Sequence, residues 1–371
     1  MHSICSGVLI STLMNNQKKK VLIAGASGIS GSYIAQELVS RSDCHVICLA
    51  RTIPRAESEN GALFLAADML NPSSLEQVSD HFNDLTHLVY AGYSTMGGSD
   101  WAAQTSINSS MFENLVGAVC RAAPRLQRIL LMQGQKYYGS HLGPYKTPTR
   151  EDDPRHVPPN FYFNQQDLLI ETAQKANWSY VCLRPHIICG LSTRSPMNPL
   201  MVIGAYASIS RALGLPLRFP GDPNAYRRVY QATDARLLGQ AAHWALTDPL
   251  AENQAFNITN GDFFRWEQVW QCVAETFDMS LAPPQQISLE RFMSDKADLW
   301  RQLAKEHNLV TSELSDLVSG SFGDYIFNCD WDVMASTIKA RKHGFDCCLD
   351  SEEMFSRLLS EMADARLIPS L

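Results

Sequence analysis

Tyr162 lies in "NFYFNQQDLL", residues 160–169, whose apolar spacing predicts a helix. A tyrosine hydroxyl facing a crevice can donate a hydrogen bond to charge that develops on an oxygen. A neighbouring ammonium lowers the pKa of such a phenol and favours its anion. One familiar arrangement supplies that ammonium from a lysine four residues later, but here the position holds Gln166. Another lysine is on hand. "LLMQGQKYYG" places Lys136 just beyond an apolar run that ends near Gly134. If that run is a strand of a parallel sheet, Lys136 emerges at its carboxyl end, where ligands bind in such architectures. Lys136 and Tyr162 are therefore the candidate catalytic pair. A solvated loop lysine and a packed aromatic are the plainer alternative.

A second constellation points to a phosphate-bearing ligand. "GASGISG" sets Gly25, Gly28 and Gly31 after an apolar run and before a helical one. Gly25 permits a tight turn, Gly28 lets backbone approach a pyrophosphate, and Gly31 lets the helix pack closely. The helix start adds amide donors and a favourable dipole. The next apolar run ends "LARTIPR", so Arg51 stands where an acid would bind an NAD ribose, with Thr52 beside it and Arg55 nearby. A cation there suits a 2′-phosphate, which favours NADP+ and NADPH. Asp68 closes the third run and is placed to border the adenine.

These residues need a scaffold, and the first half of the chain provides its pattern. "KVLIAG" (20–25), "HVICLAR" (45–51), "ALFLAAD" (62–68), "HLVYAG" (87–92), "RILLMQG" (128–134) and "SYVCLRP" (179–185) read as strands. "SYIAQELVSR", "SLEQVSDHF", "NSSMFENLVGAVCRAA" (108–123) and the Tyr162 segment read as helices between them. Continuous apolar runs alternating with amphipathic helices predict a parallel sheet covered on both faces, a doubly wound α/β fold. Residues 20–190 would form this dinucleotide-binding domain, with a strand returning near 253–261. Residues 191–371 read as a smaller, mainly helical lobe over the open end of the sheet. It has a proline-rich stretch from Pro196 to Pro223 and helices at 232–246, 264–277, 288–307 and 351–366. Its pocket wall is expected from Phe163, Tyr206, Tyr226, Trp300 and Phe322. Trp266 and Trp270 are spaced for core packing.

Composition narrows the class. Of 371 residues, 45% are hydrophobic and 19% charged, a globular balance. A net charge of -7, with Lys18–Lys20 as the main basic run, leaves no footprint for nucleic acid. No apolar run reaches the ~20 residues of a membrane helix. Ten cysteines are unremarkable at this length, and Cys44 and Cys48 lack the further ligands of a metal site. The expectation is a reduced, cytoplasmic protein without metal. Residues 1–19 carry their positive charges after a short apolar patch, the wrong order for a secretory signal, and read as a disordered extension. His141 and His156 invite a proton-relay role, though loop histidines are usually solvated, and at His186 backbone is expected to matter more than the ring.

With these motifs in place, the chain resembles the short-chain dehydrogenase/reductase branch that contains progesterone 5β-reductase and iridoid synthase. "KYYG" and "NFYF" match the family's lysine and tyrosine segments, and "REDDPR", "LRPHIICG", "SPMNPL", "AFNITNGD" and "FRWEQVW" follow in the same order. The wording is closer to bacterial and fungal members. The resemblance implies NADPH-dependent 1,4-reduction of an apolar enone or enal, in a protein of homodimeric kind. Tyr162 would stabilise the enolate with Lys136 assisting. The resemblance also implies cofactor contacts at Ser27, Gly28, Ile29, Arg51, Asp68, Met69, Gly92 and Met132. Pro185, Ile188, Ser195, Pro196 and Met197 would close over the nicotinamide end. Departures are Arg51–Thr52, where the family often has two arginines, and Gly92–Tyr93, where plant members have threonine and tryptophan. Carbonyl reduction, redox-neutral epimerisation or dehydration, and non-catalytic cofactor sensing are the rival readings.

Overall fold

The protein is described here by a computed structural model covering residues 18–53, 61–96, 98, 100–193, 195 and 197–371. The expectations for the extension before Lys18, for Arg55 and for Pro196 lie outside these residues.

Seven parallel strands form one sheet. They are β1 (Lys19–Ala24), β2 (Cys44–Ala50), β3 (Leu63–Ala66), β4 (His87–Tyr90), β5 (Arg128–Met132), β6 (Ser179–Pro185) and a return strand (Gln254–Ile258). The spatial order is return strand, β6, β5, β4, β1, β2, β3. Chain direction across the sheet reverses beside β1, and such a reversal opens a crevice at the carboxyl ends. β4 and β5 are buried at every residue, which is why they read as unbroken apolar runs.

Helices cover both faces. On one side α1 (Ile29–Val39) packs against the sheet with the later helix Ala235–Thr247. On the other lie α2 (Pro72–Glu76), α3 (Trp101–Ala122) and α4 (Phe161–Gln174). α3 starts earlier than its apolar spacing suggested. The Asp100 carboxylate caps it by accepting from the amides of Ala102 and Ala103. The proline-rich stretch also holds an unexpected helix, α5 (Pro199–Ala212), capped by Asn198 and buried from Pro199 to Ser210. The expected 288–307 helix is two, Leu289–Asp295 and Ala297–Glu306. Trp266 and Trp270 are fully buried in the lobe's core, as their spacing indicated. Among the described residues no helix is long and apolar enough to cross a membrane.

The glycine loop is held by close approach. Gly25 has φ +79, and an added Cβ would sit 2.7 Å from the Ala91 carbonyl oxygen. At Gly31 an added Cβ would lie 2.3 Å from the Gly25 carbonyl oxygen. That contact lets α1 begin directly on the turn.

A buried cation fixes the other side of the crevice. Arg184, on β6, is 1% exposed. Its Nε donates to Gln133 Oε1 at 2.9 Å, Nη1 to the Tyr138 hydroxyl at 2.8 Å, and Nη2 to Gln166 Oε1 at 3.1 Å. The guanidinium lies 3.4 Å over the Tyr137 ring. These partners come from the segment after β5, from the turn Gln135–Tyr138 and from α4. Those are the elements that carry Lys136 and Tyr162.

Two substitutions test this framework. Gly31→Ala is expected to lower the free energy of unfolding by about 2–3 kcal/mol through overpacking, read from the urea midpoint. Gln166→Lys installs the familiar lysine but sets a second cation beside Arg184, an opposition of about 4 kcal/mol at an effective dielectric of 20. It should lower the midpoint and bring no gain in any activity.

Candidate active site

The carboxyl ends of the strands open into a cavity of about 530 Å³. Its first wall is the glycine loop, with Gly25, Ser27, Gly28 and Ile29. Arg51 follows from the end of β2, Asp68 and Met69 from the end of β3, and Gly92 and Tyr93 from the end of β4. Met132, Gly134 and Lys136 line it after β5, Tyr162 from α4, and Pro185, His186 and Ile188 after β6. Ser195 and Met197 cross over the glycine loop. The Ser195 hydroxyl oxygen accepts from the Ile29 amide at 2.8 Å, at the open start of α1.

Among the described residues, those expected from the sequence to contact cofactor thus gather at one cavity, with two exceptions. Gly31 is taken up in packing α1 onto the loop, and Thr52 is exposed just beyond the cavity wall. Arg51 is exposed at the rim.

Lys136 and Tyr162 both line the cavity, and one side chain joins their backbones. Asn160, 1% exposed, caps α4 by accepting from the Tyr162 amide at 3.0 Å. Its Nδ2 donates to the Lys136 carbonyl oxygen at 2.9 Å. Gln133, held by Arg184, donates to the Tyr162 carbonyl at 3.1 Å. The tyrosine hydroxyl lies over Gly134, 3.3 Å from where a Cβ would be. Glycine leaves that space clear.

The electrostatics differ from the simplest expectation. Burial, and then Tyr93, push the Tyr162 phenol up, so it stays protonated. The Lys136 ammonium stands 5.2 Å from the Trp101 ring and 6.0 Å from those of Tyr93 and Tyr325. Burial pushes its pKa down. Aromatic faces stabilise a cation without neutralising it. The lysine therefore brings positive charge into the cavity and does not turn Tyr162 into its anion. Gln166, committed to Arg184, takes no part.

The far wall comes from the lobe: Tyr230, Phe322, Tyr325, Ile326, Cys329 and Val333. Of the expected pocket aromatics only Phe322 is among them. Phe163 packs on Tyr137, Tyr206 on Phe292 and Tyr226 on Phe219, while Trp300 is buried in the lobe core. Burial raises the Cys329 thiol to about 12, so it is inert. His156 Nδ1 donates to the Val157 carbonyl at 2.7 Å and its Nε2 accepts from Asn160 Nδ2 at 2.9 Å, and His141 packs on Trp101 with ring centroids 4.6 Å apart. Neither ring lines the cavity. Trp101, Tyr230 and Tyr325 went unread in the sequence because they lie far from either motif. Only the preceding Asp100, a helix cap, could have located Trp101 at the start of α3.

Comparison with known proteins places this arrangement. Residues 65–369 match the family described as PRISE-like Rossmann-fold domain. The chain is 31% identical over 376 residues to (S)-8-oxocitronellyl enol synthase of Catharanthus roseus, covering 95% of this chain and 93% of that one. It is 28% identical to the short chain dehydrogenase gsfE of Penicillium aethiopicum, covering 95% and 99%. Among solved structures, UDP-glucose 4-epimerase of Thermus thermophilus in complex with NAD superimposes with a TM-score of 0.66 at 17% identity, over 93% of this chain and 99% of that one. That last likeness is one of fold, and it fits the doubly wound sheet described above. The family match across most of the chain, with the relatives aligned over nearly their full length, settles the assignment: this chain belongs to the PRISE-like Rossmann-fold family.

Proposed function

We propose that the chain catalyses NADPH-dependent 1,4-reduction of an apolar, activated C=C bond, an enone or enal. It is an oxidoreductase of the short-chain dehydrogenase/reductase kind. The observation that carries the reading is geometric: Tyr162 and Lys136 line one cavity together with the glycine loop, with the Lys136 ammonium held 5.2 Å from the Trp101 ring. The relatives named enol synthases lend support, since an enol is what hydride addition to a conjugated aldehyde gives before carbon is protonated.

The residues present fit the cofactor. The amides at the start of α1, next to Gly25 and Gly28, suit a pyrophosphate. Arg51 suits a 2′-phosphate and Asp68 lies where the adenosine end would rest. When bound, NADPH supplies the hydride. The protein does the rest. As hydride reaches the β-carbon, negative charge develops on the carbonyl oxygen. Tyr162 donates a hydrogen bond to it, and Lys136 adds positive charge in a dry setting where such interactions are strong. Tyr93, Tyr325 and the lobe residues wall that end, and the enolate's α-carbon takes its proton from solvent.

A nucleotide sugar fits poorly, despite the epimerase fold. Among the described lining residues, Arg51 and Asp68 lie at the opposite end, and Lys136 is the one charged side chain at the reactive end. A diphosphate would meet aromatic rings and aliphatic chains there.

The test is NADPH consumption with 2-cyclohexenone, methyl vinyl ketone and citral, with product analysis. Saturated ketone or aldehyde is expected, with kcat reduced about 100-fold or more in Tyr162→Phe. Allylic alcohol would point to carbonyl reduction. Tight NADPH binding without turnover would point to a sensor. The pH profile adds a second check. If the ammonium is required, activity falls as pH rises through the lysine's pKa. Burial lowers that pKa, so the fall lies below the usual lysine range. Lys136→Met should abolish this alkaline limb along with most of the rate.

A further inference from the structure

His186 follows the β6 strand and lines the cavity, yet the proposed reaction leaves its ring unused. The surroundings give that ring a defined state. Its Nδ1 lies 2.7 Å from the Gln231 carbonyl oxygen. A carbonyl oxygen can only accept, so Nδ1 carries the hydrogen and Nε2 keeps a lone pair. Gln231 is itself immobilised. It is 2% exposed, its Nε2 donates to Thr259 Oγ1 and the Asp262 carbonyl, and its Oε1 accepts from the Ala335 amide at 2.7 Å. The His186 backbone amide donates to Thr233 Oγ1 at 3.1 Å, and its ring packs edge-on against Tyr230, centroids 4.9 Å apart. Burial also draws the imidazole pKa down to about 4, so the ring is neutral at ordinary pH. Among the described residues Nε2 has no hydrogen-bond partner, and the walls next to it, Pro185, Ile188 and Tyr230, are largely apolar.

We infer that His186 is a preset hydrogen-bond acceptor that fixes an N–H or O–H donor of the bound ligand at the reactive end of the cavity. This rests on the nicotinamide reading above and deepens it. A fixed acceptor in an apolar wall orients a flat ligand, because only one face or rotamer brings a donor to it. Two ligands could bring the donor: the carboxamide N–H of the nicotinamide, or a hydroxyl on the substrate.

The experiment uses wild type, His186→Phe and His186→Gln. Phenylalanine keeps the packing on Tyr230 and removes the acceptor, while glutamine can return an acceptor oxygen. The cofactor arm measures binding of NADPH and of its reduced 3-acetylpyridine analogue, whose methyl ketone has no N–H, by fluorescence titration. The substrate arm measures kcat/KM for 2-cyclohexenone and 4-hydroxy-2-cyclohexenone. Wild type should favour the donor-bearing partner by about 3- to 10-fold in one arm, the worth of one neutral hydrogen bond. His186→Phe should erase that preference and His186→Gln restore part of it. The arm that responds names the source of the donor. Unchanged ratios in both arms for His186→Phe would overturn the inference while leaving the nicotinamide reading intact. Failure of wild type to bind either dinucleotide would overturn that reading and this inference with it.

Discussion

A guanidinium buried, among the described residues, without a carboxylate hydrogen-bond partner governs the layout of this site. Taking Arg184 out of water costs several kcal/mol. The fold offsets this with neutral acceptors alone: Gln133, the Tyr138 hydroxyl, Gln166 and the Glu151 carbonyl, with the Tyr137 ring beneath. The Glu151 carboxyl is close enough to feel the charge, but burial dominates and pushes its pKa up. All but the Glu151 carbonyl come from the segment after β5, the turn Gln135–Tyr138 or α4. Satisfying Arg184 therefore sets the segment after β5, the turn with Lys136 and the helix with Tyr162 in one mutual geometry. It also dictates what stands four residues after the tyrosine. A lysine there would face Arg184 and remove an acceptor at the same time. The position has to be a neutral acceptor, and the cation the site uses has to come from the neighbouring turn.

That relocation changes the chemistry on offer. A lysine packed beside the tyrosine would favour the tyrosinate and suit removal of a proton from an alcohol. Here the ammonium is held over Trp101, Tyr93 and Tyr325, and Tyr162 keeps its proton. A neutral phenol and a separate cation suit the acceptance of negative charge on a substrate oxygen. In a cavity lined by Phe322, Ile326 and Val333 such charge is poorly screened, so each donor counts for more than it would in water. The same dryness explains the lowered lysine pKa: the burial that strengthens its field also makes its charge costly to keep.

Much of this was legible in the sequence, for physical reasons that also explain the rest. The glycine loop and the strands were readable because close backbone approach demands glycine and two-sided burial demands unbroken apolar runs. That Lys136 and Tyr162 would face one crevice was readable because Lys136 follows the carboxyl end of β5 and Tyr162 sits in the first turn of α4. α5 was not, because a helix buried from Pro199 to Ser210 shows no polar face and its prolines looked like breakers. One of them stands at the first turn, where proline is at home. The lobe's aromatics were misassigned for a related reason. Trp300 and Tyr206 are as apolar in sequence as Phe322 and Tyr325, and only tertiary packing sorts core from cavity wall. Arg184 itself looked like the end of a strand, since nothing local announces that a charge will be buried.

The likeness to UDP-glucose 4-epimerase, at 17% identity, sharpens what the fold does and does not decide. The sheet order and the glycine loop specify a crevice with a phosphate-binding end. They leave the other end to side chains drawn from loops and from the lobe. In this chain that end is built from an aromatic-held ammonium, a protonated tyrosine, a neutral imidazole with a fixed tautomer and aliphatic walls. The placement of Tyr162, Lys136 and His186 is held by Arg184, Asn160 and Gln231, which stand behind the cavity wall, and by Gln133, which also lines it.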